Sequence, residues 1–319
     1  METLRFVLGM FSIGVMVLGP GVAAGQNYPN KPIRIIASGV GGTSDFMARL
    51  IAQKIAGSLG QQAIVENRPG IVQAEIVSRA PPDGYTLLFS GGIVWITPLL
   101  QKTIYDPLRD FSPITMVERS PNIFAVHPSL PVKSIKELIA LAKARPGELN
   151  YSTSGIATSP HLSTELFNSM AGIKTVHVPY KGNAPGVNAL IAGEVQLTIS
   201  SATSLTPHVR SGRLRGLAVT SAEPSALAPG LPTVAASGLP GYESVGMTGV
   251  FAPARTPDAI IRRLNEEIVR FLRTAEAKEA FFNRGADAVS SSPEELAAAI
   301  RADMDRLGKV IKDTGIRAE

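Results

Sequence analysis

The 319-residue sequence contains no cysteine. That one absence removes disulfides, thiolate metal ligands and a cysteine nucleophile. Its four histidines, His127, His161, His177 and His208, never fall in an H-E-x-x-H pattern, so neither a metal nor another cofactor is expected. No G-x-S-x-G elbow, no G-x-x-x-x-G-K-[ST] loop and no complete G-x-G-x-x-G with its later acidic residue occurs. The sets that would mark a hydrolase or a nucleotide enzyme are therefore missing. Lys and Arg outnumber Asp and Glu, 31 to 26, but they are scattered, without a dense run or interleaved aromatics. Nucleic acid is not an expected partner. Tryptophan is reduced to Trp95. No low-complexity tract and no repeat of fixed period is present.

What is there begins with "METLRFVLGMFSIGVMVLGPGVAAGQNYP". Arg5 precedes an apolar run, Phe6 to Leu18, then the breakers Gly19, Pro20 and Gly21, then Val22-Ala23-Ala24. Small residues at positions 22 and 24 fit a signal-peptidase site after Ala24, and the run is short for a membrane span. The expectation is an exported, periplasmic protein with residues 1–24 as its signal peptide, a membrane anchor being the alternative. Without a cysteine after the run, lipid attachment is excluded. Hydrophobic residues make up 45% of the chain and charged ones 18%, ample for sizeable cores at a length that suggests about two domains.

The stretch "IRIIASGVGGTSDFMARLIAQKI" reads as a buried strand, a glycine turn and a helix with apolar residues at Phe46, Leu50, Ile51 and Ile55. Free amides and the dipole at such a helix start suit an anion. Outside the cytoplasm ATP and NAD are scarce, so the expected ligand is a carboxylate or another small polar molecule rather than a nucleotide. A second loop of this kind lies in "GELNYSTSGIATSPHLSTELFNSMAG", with a short strand, a turn at Ser152–Gly155, Thr158 or Ser159 as N-cap, Pro160 early in the helix and Gly172 ending it. Either loop alone is equally an ordinary connection. Two together favour a cleft between two lobes.

Further strands are read at Gln62–Glu66, Thr86–Phe89, Asn122–His127, Thr175–Pro179, Val195–Ser200 and Leu214–Thr220. Further helices are read at Val72–Ser78, Ile135–Ala144, Ala184–Ala192, Ser204–Ser211, Pro257–Thr274, Glu276–Asn283 and Pro293–Thr314. This alternation predicts an α/β protein with mostly parallel sheets covered by helices on both faces. Ser134 with Glu137, and Ser292 with Glu295, have capping-box spacing. His127, His177 and His208 read as packing residues; His161, just inside the second helix, either faces the cleft or packs, packing being the better fit. Asp45 either caps the first helix, the better fit, or points into the cleft. Lys181 either pairs with a carboxylate or is solvated. Trp95 either lines the pocket or fills the core.

Several phrases carry a resemblance: "YPNKPIRII", "VENRPG", "APPDGYTLLFS", "YDPLRDFSPIT", "KSIKELIALAKARPGELNYSTSGIATSPHL", "HVPYKG", "SGRLRGLAVTS", "LPTVAASGLPGYE" and "FAPARTP". In this order, from Tyr28 to the C-terminus, they resemble the periplasmic solute receptors of tripartite tricarboxylate transporters, the receptor family expanded in Bordetella. The resemblance implies a two-lobe periplasmic-binding-protein fold, a Venus flytrap of type II-like plan with a cleft between the lobes. It divides the mature chain into lobe 1, residues 25–121 and 248–319, and lobe 2, residues 122–247. It implies a monomeric receptor, not an enzyme, that holds a small organic carboxylate and docks on membrane permease subunits. A periplasmic orphan or sensory receptor that signals to a partner is the alternative. The ligand-binding set expected from the two loops and the neighbouring strand ends is Ser38, Gly39, Gly41, Gly42, Thr43, Ser152, Ser154, Gly155, Thr158 and His161. Specificity is expected from Ser90, Gly91, Gly92, Trp95, Tyr180, Ser200, Ser201 and Thr203. The chain departs from the family where the first loop, usually P-F-P-x-G-G-x-x-D, reads A-S-G-V-G-G-T-S-D. It departs again where "IVQAEIV" replaces A-G-G-N-I-G, and where Ser200 and Ser201 stand in place of an Asp. A citrate-like ligand is not implied.

Overall fold

A computed structural model describes residues 28–156 and 158–317. The signal peptide expected at residues 1–24 lies outside the described residues. In chain order the elements are β1 (Ile33–Ala37), α1 (Thr43–Leu59), β2 (Ala63–Asn67), α2 (Val72–Ser78), β3 (Thr86–Gly91), α3 (Ile93–Leu100) and β4 (Phe111–Val126). Next come α4 (Ile135–Ala144), β5 (Asn150–Thr153), α5 (Ser159–Ala171), β6 (Val176–Pro179), α6 (Asn183–Ala192), β7 (Leu197–Ser201), α7 (Ala202–Arg210) and β8 (Arg215–Val219). The chain ends with β9 (Val245–Pro253), α8 (Asp258–Leu272), α9 (Ala275–Phe282), β10 (Asp287–Ala288) and α10 (Pro293–Thr314).

The sheet order is β2-β1-β3-β9-β4-β7-β5-β6, with β8 and β10 also on β4. The flanks are parallel, as the alternating pattern predicts, but the centre is antiparallel, because β4 and β9 run out and back between the two halves. Strand β4 has sixteen residues, about 53 Å at roughly 3.3 Å per residue. Its Phe111–Pro121 portion pairs with β9, and its Asn122–Val126 portion pairs with β7 and β8. One continuous strand thus belongs to both lobes. Sequence reading recovers only its second half, since Pro113, Pro121 and the Glu118-Arg119 pair break the apolar pattern. Register shifts after Pro113 and after Met116 absorb these irregular residues. Strand β9 and helix α3 are also absent from the sequence reading, the latter because Ile93, Val94, Ile96 and Thr97 favour strands and Pro98 interrupts the helix.

Each half is covered on both faces. Along β1, Ile33 and Ile35 enter a core with α1, α8 and α9, while Ile36 enters another with α2, α3 and α10. In the second half of β4, Phe124 and Val126 face one core while Ile123 and Ala125 face another. Helix α10 starts on a full capping box between Ser292 and Glu295. Its Leu296 and Ile300 pack on the first half, but Val310 is buried in the second, and Leu307 and Ile311 meet Leu162 of α5. At α4, Ser134 accepts from the Glu137 amide at 3.2 Å, whereas the Glu137 carboxylate reaches the Lys133 amide, one residue beyond the box position.

Candidate functional site

The main cavity, about 670 Å³, lies against the β4–β9 crossing and between the two halves. The first half contributes Gly91, Gly92 and Trp95 from the β3–α3 junction, Ile71 before α2, and Glu118 from β4. The second half contributes Thr158, Ser159 and Leu162 from the start of α5. Ser244 to Thr248 form the wall along the crossing itself. Two helix starts meet here. Helical geometry leaves the first-turn amides at Ile93, Val94 and Ser159 without intrahelical partners. The start of α5 brings its positive end to this space, and α3 borders it from its first turn to its C-cap Gln101.

The walls are mostly apolar, with Ile71, Ile93, Ile96, Leu100, Leu162 and Leu307 among the lining residues, and Thr97, Gln101, Ser244 and Thr248 add neutral polar groups. Among the described residues no Lys, Arg or His lines the cavity, and its two charged lining residues are Glu118 and Asp303. Asp303 is satisfied: Trp95 Nε1 donates to it at 2.8 Å and Arg306 at 2.8 Å. Glu118 accepts from the Ser120 hydroxyl and from Thr248. Burial pushes its carboxyl above the usual range, and those two hydroxyls offset part of that rise.

Trp95 does both of the jobs open to it. It is 1% exposed and packs near Phe251, and it also forms cavity wall. Of the residues expected from sequence, Gly91, Gly92, Trp95 and Thr158 reach this cavity. Ser90 is buried one residue back along β3.

The first loop does not line the cavity. Asp45 folds it on itself: its carboxylate accepts from the Gly41 amide at 2.9 Å and from Asn67 Nδ2 at 2.9 Å, and pairs with Arg49 at 2.9 Å. Asn67 also holds the Ser38 carbonyl. Burial raises the Asp45 pKa, but the Gly41 amide, Asn67 and Arg49 outweigh it and hold the group below its ordinary value. Asp45 thus neither caps α1, whose N-cap is Gly42, nor points into the cavity. Gly39, Gly42 and Thr43 remain on the exposed rim of this loop.

The second loop divides. Ser152, Ser154 and Ser200 line a separate narrow crevice near Pro160 and Gly186. Ser152 donates to the Gly186 carbonyl, and the buried Ser200 hydroxyl has no hydrogen-bond partner. The Gly155 amide points to Thr153 Oγ1 at 3.3 Å, and its carbonyl accepts from Thr158 Oγ1 at 2.8 Å. His161 stacks on His177 with ring centroids 3.9 Å apart, and His177 stacks on Tyr151. Burial, then the neighbouring His177, bring His161 down to about 4, so its imidazole is neutral at neutral pH. Tyr180 lies near Glu194, and Ser201 bonds within its own turn to Thr203 and Ser204.

Sequence reasoning missed Glu118 and Asp303. Asp303 carried a signal, since it interrupts the apolar stripe Leu296, Ile300, Leu307 at helical spacing. Glu118 carried none, lying in a run not read as a strand. Among the described residues, no group of three His, Cys, Asp or Glu is placed to hold a metal, and no helix is long and apolar enough to cross a membrane.

Residues 47–316 match the family model described as the tripartite tricarboxylate transporter family receptor. The chain is 34% identical over 315 residues to the protein BugT of Bordetella pertussis, covering 96% of this chain and 97% of that one. It is similar to a solved R. palustris structure with adipate, at 36% identity and TM-score 0.73, covering 91% of this chain and 99% of the other. It is also similar to MatC from Rhodopseudomonas palustris with bound malate, at 27% identity and TM-score 0.70, covering 89% and 100%. A TctC solute-binding protein from Polaromonas shares the fold, with TM-score 0.82 over 90% and 99% of the two chains, at 24% identity. With its two sheets joined through β4, its cavity between them and these likenesses over nearly all of its length, the chain belongs to the tripartite tricarboxylate transporter receptor family, periplasmic solute-binding receptors of two-lobe fold rather than enzymes.

Proposed function

We propose that this protein is exported by cleavage after Ala24, captures a small organic carboxylate between its lobes, and delivers it to membrane permease subunits of a secondary transporter. The observation that carries the reading is the cavity walled by both halves, with the first turns of α3 and α5 facing it. The two helix starts supply amide donors to the ligand's carboxylate, and Trp95 and the aliphatic walls hold its carbon body. The lobe boundaries follow the β4–β9 crossing, near residues 119–122 and 243–248. Closure follows from population shift: a ligand that touches both lobes favours the shut arrangement. The adipate-bound and malate-bound relatives make carboxylates the first compounds to test.

The test is calorimetry and thermal-shift screening of the mature chain against mono-, di- and tricarboxylates. Ligand at a hundredfold excess over Kd adds about 2.7 kcal/mol of stability, readily seen as a raised Tm. If no carboxylate raises the Tm or releases heat, the capture reading fails. Delivery is tested by uptake of the identified ligand in cells lacking this gene; undiminished uptake removes the transport role.

A further inference from the structure

The cavity poses a charge problem for a carboxylate receptor. Its charged lining residues are both acidic, and Asp303 is already held by Trp95 and Arg306. Glu118 differs. It stands in the wall beside the β4–β9 crossing, where its partners are the hydroxyls of Ser120 and Thr248 and no cationic side chain lines the space in front of it. The neighbouring Arg119 pairs instead with Glu243 at 3.2 Å. Both hydroxyls stabilise the carboxyl as an acceptor, but burial without a cation still pushes it toward its neutral form, so a ligand donor, a protonated amine above all, is what restores the carboxylate. A buried carboxylate without a cation is costly, and a ligand that brings a donor to it recovers that cost. A ligand that brings a second carboxylate offers no donor to this wall and pushes the carboxyl further toward its neutral form, a cost that a donor-ended ligand avoids.

We propose that Glu118 is a specificity-determining residue, and that the cavity takes a carboxylate with an apolar body whose far end presents a hydrogen-bond donor, a hydroxyl or a protonated amine, to the Glu118 carboxylate. This rests on the carboxylate-capture reading above and narrows its ligand class. The ligand's own carboxylate goes to the first turns of α3 and α5. Its body lies against Trp95, Ile71 and Leu162. A charge-assisted hydrogen bond to Glu118 gives about a ten- to hundredfold preference over the same body without a donor.

The experiment uses two matched probe series on the mature chain: hexanoate, adipate, 6-hydroxyhexanoate and 6-aminohexanoate, and benzoate, terephthalate, 4-hydroxybenzoate and 4-(aminomethyl)benzoate. Malate serves as the polar control. In the unaltered chain, one of the two donor-ended members of at least one series is expected to bind ten times or more tightly than the plain acid and the dicarboxylate of that series. Glu118→Gln and Glu118→Leu should erase that preference, and both should improve binding of the dicarboxylate. Thermal unfolding of each variant without probe reports whether it folds, and the neutral Gln variant keeps the shape of the wall. Dicarboxylates that bind the unaltered chain as well as their donor-ended partners in both series overturn the proposal. So does an order of affinities unchanged in both variants. If malate binds and neither series does, the apolar-body claim fails while capture stands; if nothing binds, malate included, the capture reading itself fails.

Discussion

Gly285 joins two parts of the molecule that are far apart in sequence. It follows α9 on the first half with φ of +75°, and a Cβ built there lies 1.9 Å from Thr203 Cγ2 and 3.1 Å from Thr203 Cβ, at the start of α7 on the second half. Gly285→Ala therefore meets two penalties. An L-residue in the left-handed region costs about 1–2 kcal/mol. Driving Thr203 off its rotamer costs about 0.5–1.5 kcal/mol more. The total, about 1.5–3.5 kcal/mol, lowers Tm by about 3–7 °C at the conversion of about 2 °C per kcal/mol suited to a large chain. Differential scanning calorimetry of Gly285→Ala, Thr203→Ala and the double variant separates the two penalties. Thr203→Ala alone should be nearly silent, since Thr203 is exposed. In the double variant the clash with Cγ2 should be relieved, while the 3.1 Å approach to the Cβ that alanine keeps and the backbone part should persist. A Gly285→Ala protein with unchanged Tm refutes the argument, and a double variant no better than the single one shows that Thr203 is not the obstacle.

Three further outcomes are expected. Trp95 is the chain's one tryptophan and forms cavity wall, so any ligand seated there should shift the intrinsic emission spectrum; tight binding measured by calorimetry with unchanged fluorescence would place the ligand elsewhere. His161, brought down to about 4 from 6.5, binds its proton in the unfolded chain before the folded one. Its stabilising contribution is therefore complete above about pH 6.5 and falls as the pH drops toward 4, with a slope of up to about 1.4 kcal/mol per pH unit. Urea unfolding across that window should show the loss, and a His161→Phe variant with the same slope contradicts it. Asp45→Ala strips the acceptor from the Gly41 amide, Asn67 and Arg49, and urea unfolding at neutral pH should register a loss of about 2–3 kcal/mol; stability within experimental error of the unaltered chain would mean that the loop holds itself without Asp45.

Much of this architecture is legible in the residues, and the illegible parts share a cause. Strand β1 and helix α1 announce themselves because Ile33, Ile35, Ile36 and Ala37 make an apolar run broken only by Arg34, and Phe46, Leu50, Ile51 and Ile55 recur at helical spacing. The start of α10 is legible because Ser292, Pro293 and Glu295 act within one turn. The first half of β4 and the whole of β9 are held by each other across more than a hundred residues, so neighbouring residues carry little of the instruction. The same limit applies to the site. Gly91, Gly92, Trp95 and Thr158 sit at strand-to-helix junctions that the pattern locates. The roles of Asp45 and Gly155 are set by partners the pattern does not display, Asn67 for the first and the Thr153 and Thr158 hydroxyls for the second. An amide that looks available in a glycine turn is, in both loops, already spoken for.

Helix α10 changes how the two halves can move. Two antiparallel strands, taken alone, form a ribbon that bends and twists with comparable ease. A third connection offset from the ribbon acts as a strut: α10 is anchored by Leu296 and Ile300 at one end and by Val310 at the other, with the Leu162 contact against Leu307 and Ile311 as its sliding bearing. Twisting would stretch that strut, whereas bending about an axis parallel to the bearing only rolls one side chain over its neighbours. The closure proposed above must therefore carry α10 with it, since its two ends pack on different halves. Amides near Arg119–Asn122 and those of the last turns of α10 should then open to solvent exchange together rather than independently.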